Sequence, residues 1–189
     1  MFTTSPKNHS KSPTFVPRNS KKQNRPMITI RPTQLHELPQ LMALFESAKG
    51  IMRASGNHRQ WTSGYPGADL VRRDIEQGHS YVCHDQGQLV GTFSFIPGAD
   101  PTYAHIYQGQ WLDDHQPYAT LHRLASTPES HGVAQACLEW CSRQSPNLRA
   151  DTHRDNHILQ HILQKHGFQY CGIIYLANGD ERLAYQRLA

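Results

Sequence analysis

From residue 27 onward, apolar positions follow helix and strand periods in turn. Residues 27–31 read as a strand closed by Pro32. Residues 38–48 read as a helix with Pro39 in its first turn, where a missing N–H does no harm, and with Leu38, Leu41, Met42, Phe45 and Ala48 as its apolar stripe. A second helix-like stretch continues through Met52. Residues 53–67 are polar and rich in glycine and read as a loop; residues 68–77 form a short helix with Leu70, Val71 and Ile75 on one side. Two strands follow at 80–84 and 88–96, joined by Asp85-Gln86-Gly87, a hairpin turn. A long connection over 97–117 leads to a strand at 118–126, a helix at 132–144 and a strand at 148–153. A helix at 156–166 and strands at 168–175 and 182–188 complete the chain, with Asn178-Gly179 as the last turn. There is no internal repeat. This order predicts an α/β (α+β) domain, a mixed sheet with helices on both faces.

Residues 1–26 do not share the pattern. They hold four prolines among Ser, Thr, Asn and Lys, and are expected to form a disordered, dispensable tail ahead of a domain at 27–189. A basic arm, a targeting peptide, or a true start at Met27 are the other readings. The formal net charge is +4, and this segment alone carries six Lys and Arg with no acid, so the rest of the chain carries −2. The folded part is therefore not a basic nucleic-acid-binding surface. No apolar run approaches the ~20 residues of a membrane-spanning helix, and the secretory-signal pattern is missing. A cytoplasmic protein without nucleic-acid or membrane partners is expected. Cys83, Cys137, Cys141 and Cys171 contain no C-x-x-C pair and read as free thiols in a reducing compartment.

The segment from Leu124 to Ala134 carries the first chemistry. A strand runs into a short loop, and the loop opens a helix beside the small residues Gly132 and Ala134. The first turn of a helix has unpartnered N–H groups at a positive dipole end, a geometry that binds phosphate. A simple tight turn is the competing reading. Further on, Asn156 starts a helix that ends at His166-Gly167-Phe168, with Gly167 as its C-terminal glycine.

Together these two pieces resemble the coenzyme-binding half of GNAT N-acetyltransferases. Glu129-Ser130-His131-Gly132-Val133-Ala134 follows the loop pattern (Gln/Arg)-x-x-Gly-x-(Gly/Ala), and Asn156 to Gly167-Phe168 follows the later helix. Gln60-Trp61, Gly64-Tyr65-Pro66 and the segments 122–126, 149–156 and 168–175 resemble a bacterial subgroup of that superfamily with no acceptor assigned to it as a whole. The resemblance covers residues 27–188. It implies a mostly antiparallel sheet of about seven strands whose central pair, 118–126 and 148–153, splays apart. It implies acetyl-CoA as co-substrate, with pantetheine along Leu124, Ala125 and Ser126. The pyrophosphate would lie on N–H groups of Ser130, His131, Gly132, Val133, Ala134 and Gln135, and Asn156 would touch the pantetheine or the phosphates. Two positions depart from the family. Glu129 replaces Gln or Arg and is expected to point to solvent, and Leu163 stands where many members carry a tyrosine acid for the leaving thiolate.

An ammonium is not a nucleophile, so the acceptor amine needs a base, and histidine titrates near neutrality. His122 is the first candidate: alternation groups it with Tyr118 and Thr120 and puts Arg123 on the opposite face. In the resembled family the base often lies on this strand. A structural histidine is the competing reading. Asp151 and His153 share a face of the next strand and are second candidates; a helix-capping network around Thr152, Asp155 and Asn156 competes with them. Tyr175 and Tyr118 are candidate acids. Trp61, Tyr65, Trp111 and Tyr118 are candidates to line the acceptor pocket, with core packing as the alternative. His153, His157 and His161 recur at four-residue spacing, but without a carboxylate partner they read as a solvated face, and no metal is expected. The sequence therefore predicts an N-acetyltransferase acting on a small-molecule or peptide amine, with a homodimer possible. A catalytically degenerate acyl-CoA sensor and a nucleic-acid binder using the tail are the rival functions.

Overall fold

The computed structural model describes Met1 and residues 28–189. The expected tail over 1–26, and Met27, lie outside the described residues apart from Met1.

Seven strands form one sheet in the order β1-β2-β3-β4-β5-β7-β6. They are β1 (Thr29–Pro32), β2 (Ser80–Asp85), β3 (Gln88–Pro97), β4 (Ala119–Ser126), β5 (Asn147–Thr152), β6 (Gln169–Tyr175) and β7 (Glu181–Leu188). Among the described residues four α-helices accompany them: α1 (Leu38–Ala54), α2 (Ala68–Glu76), α3 (Val133–Gln144) and α4 (His157–Lys165). Every neighbouring pair of strands is antiparallel except β4 and β5. The mixed, mostly antiparallel sheet therefore matches the expectation. One difference lies in the first helical region, where the two expected stretches are one 17-residue helix. Gly50 is exposed within it, and Leu41, Leu44, Phe45 and Ala48 hold one buried face that outweighs its lower helix propensity. No helix of the described residues is long and apolar enough to cross a membrane.

The sheet separates two cores. On one face α1 and α2 bury Leu41, Phe45 and Val71 against Val82 and Ala125. On the other, α3 and α4 bury Val133, Cys137, Leu138 and Leu163 against Phe93, Leu121 and Leu148. Alternation along β2 is visible in this division, with Val82 facing one core and Cys83 the other. The connection between β3 and β4 folds back, and its Tyr103 and Trp111 cover Ile174 of β6 and Ala184 of β7.

All four cysteines are free and buried. The Cys83 and Cys137 sulfurs lie 3.4 Å apart. Burial drives the Cys141 thiol up to about 12, so it stays protonated and packs as a small hydrophobe.

Two features of β4 create the site. First, its parallel pairing with β5 covers only Ala119, Thr120 and Leu121, opposite Leu148, Arg149 and Ala150. Beyond them β5 stays with β7 through Asp151 and Thr152, so the two strands part. Second, β4 bulges. Ser94 pairs with His122 but Thr92 pairs with Ala125, so β4 carries one extra residue there, and Arg123 takes a left-handed φ of 54°. The bulge reverses the expected alternation. Leu121 faces the α3 core while Ala125 faces the α1 core, and Arg123 turns to the same side as His122.

Candidate active site

Where β4 and β5 part, a cleft of about 480 Å³ opens. A smaller groove of about 130 Å³ runs from it between α1, α4 and the Leu124, Ala125 and Ser126 end of β4. Met52, Leu124, Asn156 and Leu159 line both, so cleft and groove are continuous. Beyond Leu121 the β5 side of β4 has no strand partner, and its backbone is available to pair with an extended ligand.

Ala134 lines the groove, placing the start of α3 beside it. Gly132 is the residue before α3 and has a φ of 77°, which suits glycine. The Ala136 N–H is the donor that reaches back to the Gly132 carbonyl. The N–H groups of Val133, Ala134 and Gln135 precede it and have no carbonyl within the helix to take. Val133 itself is buried, and a Cβ at Gly91 of β3 would meet its Cγ1 at 2.5 Å, so that glycine lets the helix start seat close to the sheet. His131 and Gly132 are exposed, as is Glu129, which agrees with its expected orientation. The Ser130 hydroxyl is engaged locally, donating to the Thr127 carbonyl at 2.9 Å.

His122 stands in the cleft between two carboxylates. Its Nε2 lies 3.1 Å from Asp100 Oδ2, and its Nδ1 lies 3.7 Å from Asp151 Oδ1. Asp100 is set by its own neighbours: its Oδ1 accepts from the Thr102 N–H at 2.8 Å, and its N–H donates to the Tyr118 hydroxyl at 3.0 Å. Asp151 accepts the Tyr103 hydroxyl at 2.6 Å. An ionised carboxylate can only accept, so Asp100 holds the proton of neutral His122 on Nε2 and leaves Nδ1 as the open acceptor. Burial drives the Tyr103 phenol well above its ordinary value, and the nearby Asp151 charge adds to the rise; Tyr103 remains a donor to Asp151.

Burial by itself would raise the Asp100 carboxyl, but hydrogen bonds from His122 and Thr102 outweigh it and hold the group at about 2. Because the folded value lies below the ordinary 3.8, the ionised form stabilises the fold fully above about pH 4, and that contribution fades as pH falls towards 2. The urea midpoint of the wild type should therefore drop more steeply between pH 5 and pH 3 than that of Asp100→Asn. Parallel curves for the two proteins would contradict the assignment.

A second polar group forms the wall towards α2. Arg123 reaches Asp74 at 2.5 Å, Ser94 Oγ at 3.1 Å and the Tyr65 hydroxyl at 3.2 Å. Ser94 also donates to Asp74 at 2.9 Å. Trp61 packs edge-on to Phe45, and both Trp61 and Tyr65 line the cleft. On the β7 side, Arg182 lies 3.9 Å from Asp151 and 3.8 Å from Asp180.

The remaining candidate residues lie elsewhere or take local partners. His153 does not join His122 and Asp151. It falls just past the end of β5, where Nδ1 accepts the Asp155 N–H at 3.2 Å, and burial lowers its pKa. Asn156 serves as the cap of α4, its side-chain oxygen accepting from Leu159 N–H at 3.1 Å while its amide donates to Gln60 at 2.9 Å. It still lines both cleft and groove. Tyr175 is outside the cleft lining, at the exposed end of β6 against Tyr107. Trp111 and Tyr118 are also absent from that lining, because their rings lie 4.0 and 3.9 Å from the buried Arg149 guanidinium. Tyr118 reaches the site through Asp100, whose N–H its hydroxyl accepts, and through the neighbouring ring of Tyr103. His157 and His161 are exposed on α4, and no group of three metal-binding side chains occurs among the described residues.

Asp100, Asp74, Arg123 and Arg182 were not singled out as site residues from the sequence. Asp100 and Arg123 sit 22 and 49 positions from their partners His122 and Asp74, and no local period signals such pairs.

A sheet parted between two parallel central strands, with a glycine-led helix start at the opening, leaves a cleft shaped for an extended, phosphate-bearing ligand. No family model matches the chain, and no curated protein does. Among solved structures, a GNAT acetyltransferase from Streptococcus agalactiae is 36% identical, with a TM-score of 0.78, over 86% of this chain and 95% of that one. A GNAT acetyltransferase from Listeria monocytogenes shares the fold at 18% identity and a TM-score of 0.64, over 86% and 95%. So does a PaiA N-acetyltransferase from Thermoplasma acidophilum, solved with coenzyme A, at 13% identity and a TM-score of 0.59, over 86% and 99%. The chain belongs to the GNAT acetyltransferase family.

Proposed function

We propose that this protein transfers the acetyl group of acetyl-CoA to a primary amine by direct attack, with His122 as general base. The observation that carries the reading is the position of His122, oriented by Asp100 at the apex of the splay with Nδ1 open.

The groove beside Leu124, Ala125 and Ser126 suits the pantetheine arm, and the α3 start suits the pyrophosphate. The coenzyme A bound to the Thermoplasma acidophilum neighbour supports acetyl-CoA as the donor. The acceptor ammonium gives a proton to His122 Nδ1, and Asp151 beside it favours the cation before transfer. The freed amine attacks the thioester carbonyl. The C–N bond forms, the C–S bond breaks, and coenzyme A leaves as thiolate. The attacking nitrogen loses its second proton, and the thiolate gains one through water, since the buried Leu163 offers no acid. The products are the amide, free coenzyme A and one proton released from His122.

Isothermal titration with acetyl-CoA tests the donor. Tight binding is expected for the wild type, with at least a tenfold weaker Kd for Gly132→Glu. That variant strains a backbone with φ of 77° and brings a carboxylate to the helix start. Gly132→Asn tolerates positive φ and adds no charge, so it should lose less. A wild type that does not bind acetyl-CoA would remove the proposal.

A further inference from the structure

Building on the proposed amine acetylation, we infer that the acceptor is a small aliphatic diamine, bound with its second ammonium at the mouth of the cleft. The cleft lining holds four carboxylates, Asp74, Asp100, Asp151 and Asp180, against two guanidiniums, Arg123 and Arg182, and no lysine. These six side chains balance at −2.

Both guanidiniums are already engaged. Arg123 is taken by Asp74, Ser94 and Tyr65, and it is buried. Arg182 lies near both Asp151 and Asp180 and donates to the Glu181 carbonyl at 2.8 Å. The Arg123 charge is matched by Asp74, and the Arg182 charge is shared between Asp151 and Asp180, so neither is left over to clamp an acceptor carboxylate. An amino acid or another anionic acceptor would thus enter a cleft of net negative charge with no unmatched cation to receive it.

The carboxylates are graded in depth. The side chains of Asp151 and Asp100 are 11% and 19% exposed, whereas that of Asp180 is 45% exposed. The reacting amine belongs at the deep end, at His122 Nδ1 and Asp151. A second ammonium belongs at Asp180, which stands close enough to Asp151 for one guanidinium to approach both. Trp61, Leu70, Ile96 and Leu121 supply apolar wall for a methylene chain.

Three acceptors that share an aminobutyl chain and differ at the far end test the inference: 1,4-diaminobutane, pentylamine and 5-aminopentanoate. With acetyl-CoA saturating at low salt, kcat/KM should fall at least tenfold from the ammonium to the methyl end, and again to the carboxylate end. The first ratio should shrink as salt is added. Asp180→Asn should bring the diamine-to-pentylamine ratio below threefold. Equal use of diamine and pentylamine, a preference for 5-aminopentanoate, or an unchanged ratio in Asp180→Asn would overturn the inference. Failure to acetylate any of the three by protein that binds acetyl-CoA would also overturn it while leaving the coenzyme site intact. Failure to bind acetyl-CoA would instead remove the proposed function itself.

Discussion

Replacing His122 with alanine is expected to lower kcat/KM for amine acetylation by about a hundred- to ten-thousand-fold, the range for loss of a general base. The imidazole is the titratable nitrogen base in the cleft lining, and its Nδ1 has no closer charged partner than Asp151 at 3.7 Å. Its ring is held by Asp100 on one edge and by the Tyr103 ring, whose centroid lies 5.9 Å away. The affinity for acetyl-CoA should change by less than about threefold, since the proposed coenzyme groove lies along Leu124, Ala125 and Ser126 and its lining does not include His122. Part of the activity should return at high pH, where more of the amine is already deprotonated in solution. Full activity in His122→Ala at neutral pH would assign the proton transfer to another group. Asp100→Asn is the milder companion: it removes the anion that fixes the Nε2–H form, so it should reduce kcat more than it raises KM.

Replacing Arg123 with methionine is expected to destabilise the fold by about 3–5 kcal/mol, the usual cost of breaking a buried ion pair. Asp74 is 5% exposed and would keep only its bond from Ser94. The cost arises from the carboxylate left behind as much as from the lost contact. Asp74→Asn added to Arg123→Met should therefore recover part of the loss, because the neutral amide has no buried charge to strand. Urea unfolding of the three proteins measures both effects. A single-variant loss below about 1 kcal/mol would show that water reaches Asp74 in the native state. The consequence extends to the site, because Arg123 occupies the bulge that turns this end of β4 towards the cleft.

Much of the fold was legible along the chain. The order of strands and helices follows from apolar period and turn residues, which act between near neighbours. Gly132 and Asn156 were readable as markers of helix starts, and the structure uses both in that way, one at a left-handed φ and the other as a side-chain cap. The site was legible only in part. His122, Asp151, Trp61 and Tyr65 do meet in one cleft. His153, Tyr175, Trp111 and Tyr118 carry suitable chemistry but are drawn into a local turn, a strand end and the packing around Arg149.

What the sequence by itself determined was the set of elements, the family resemblance, and the two helix starts beside the cleft and groove. Each rests on contacts a few residues apart, so local pattern suffices. The tertiary structure decided where β4 and β5 part, which face Arg123 takes, and that Asp100 rather than His153 accompanies His122. Those outcomes depend on closing long segments and on where buried charges find partners. A single inserted residue in β4 shifts its side-chain period by one, and no alternation rule read along the chain anticipates that shift.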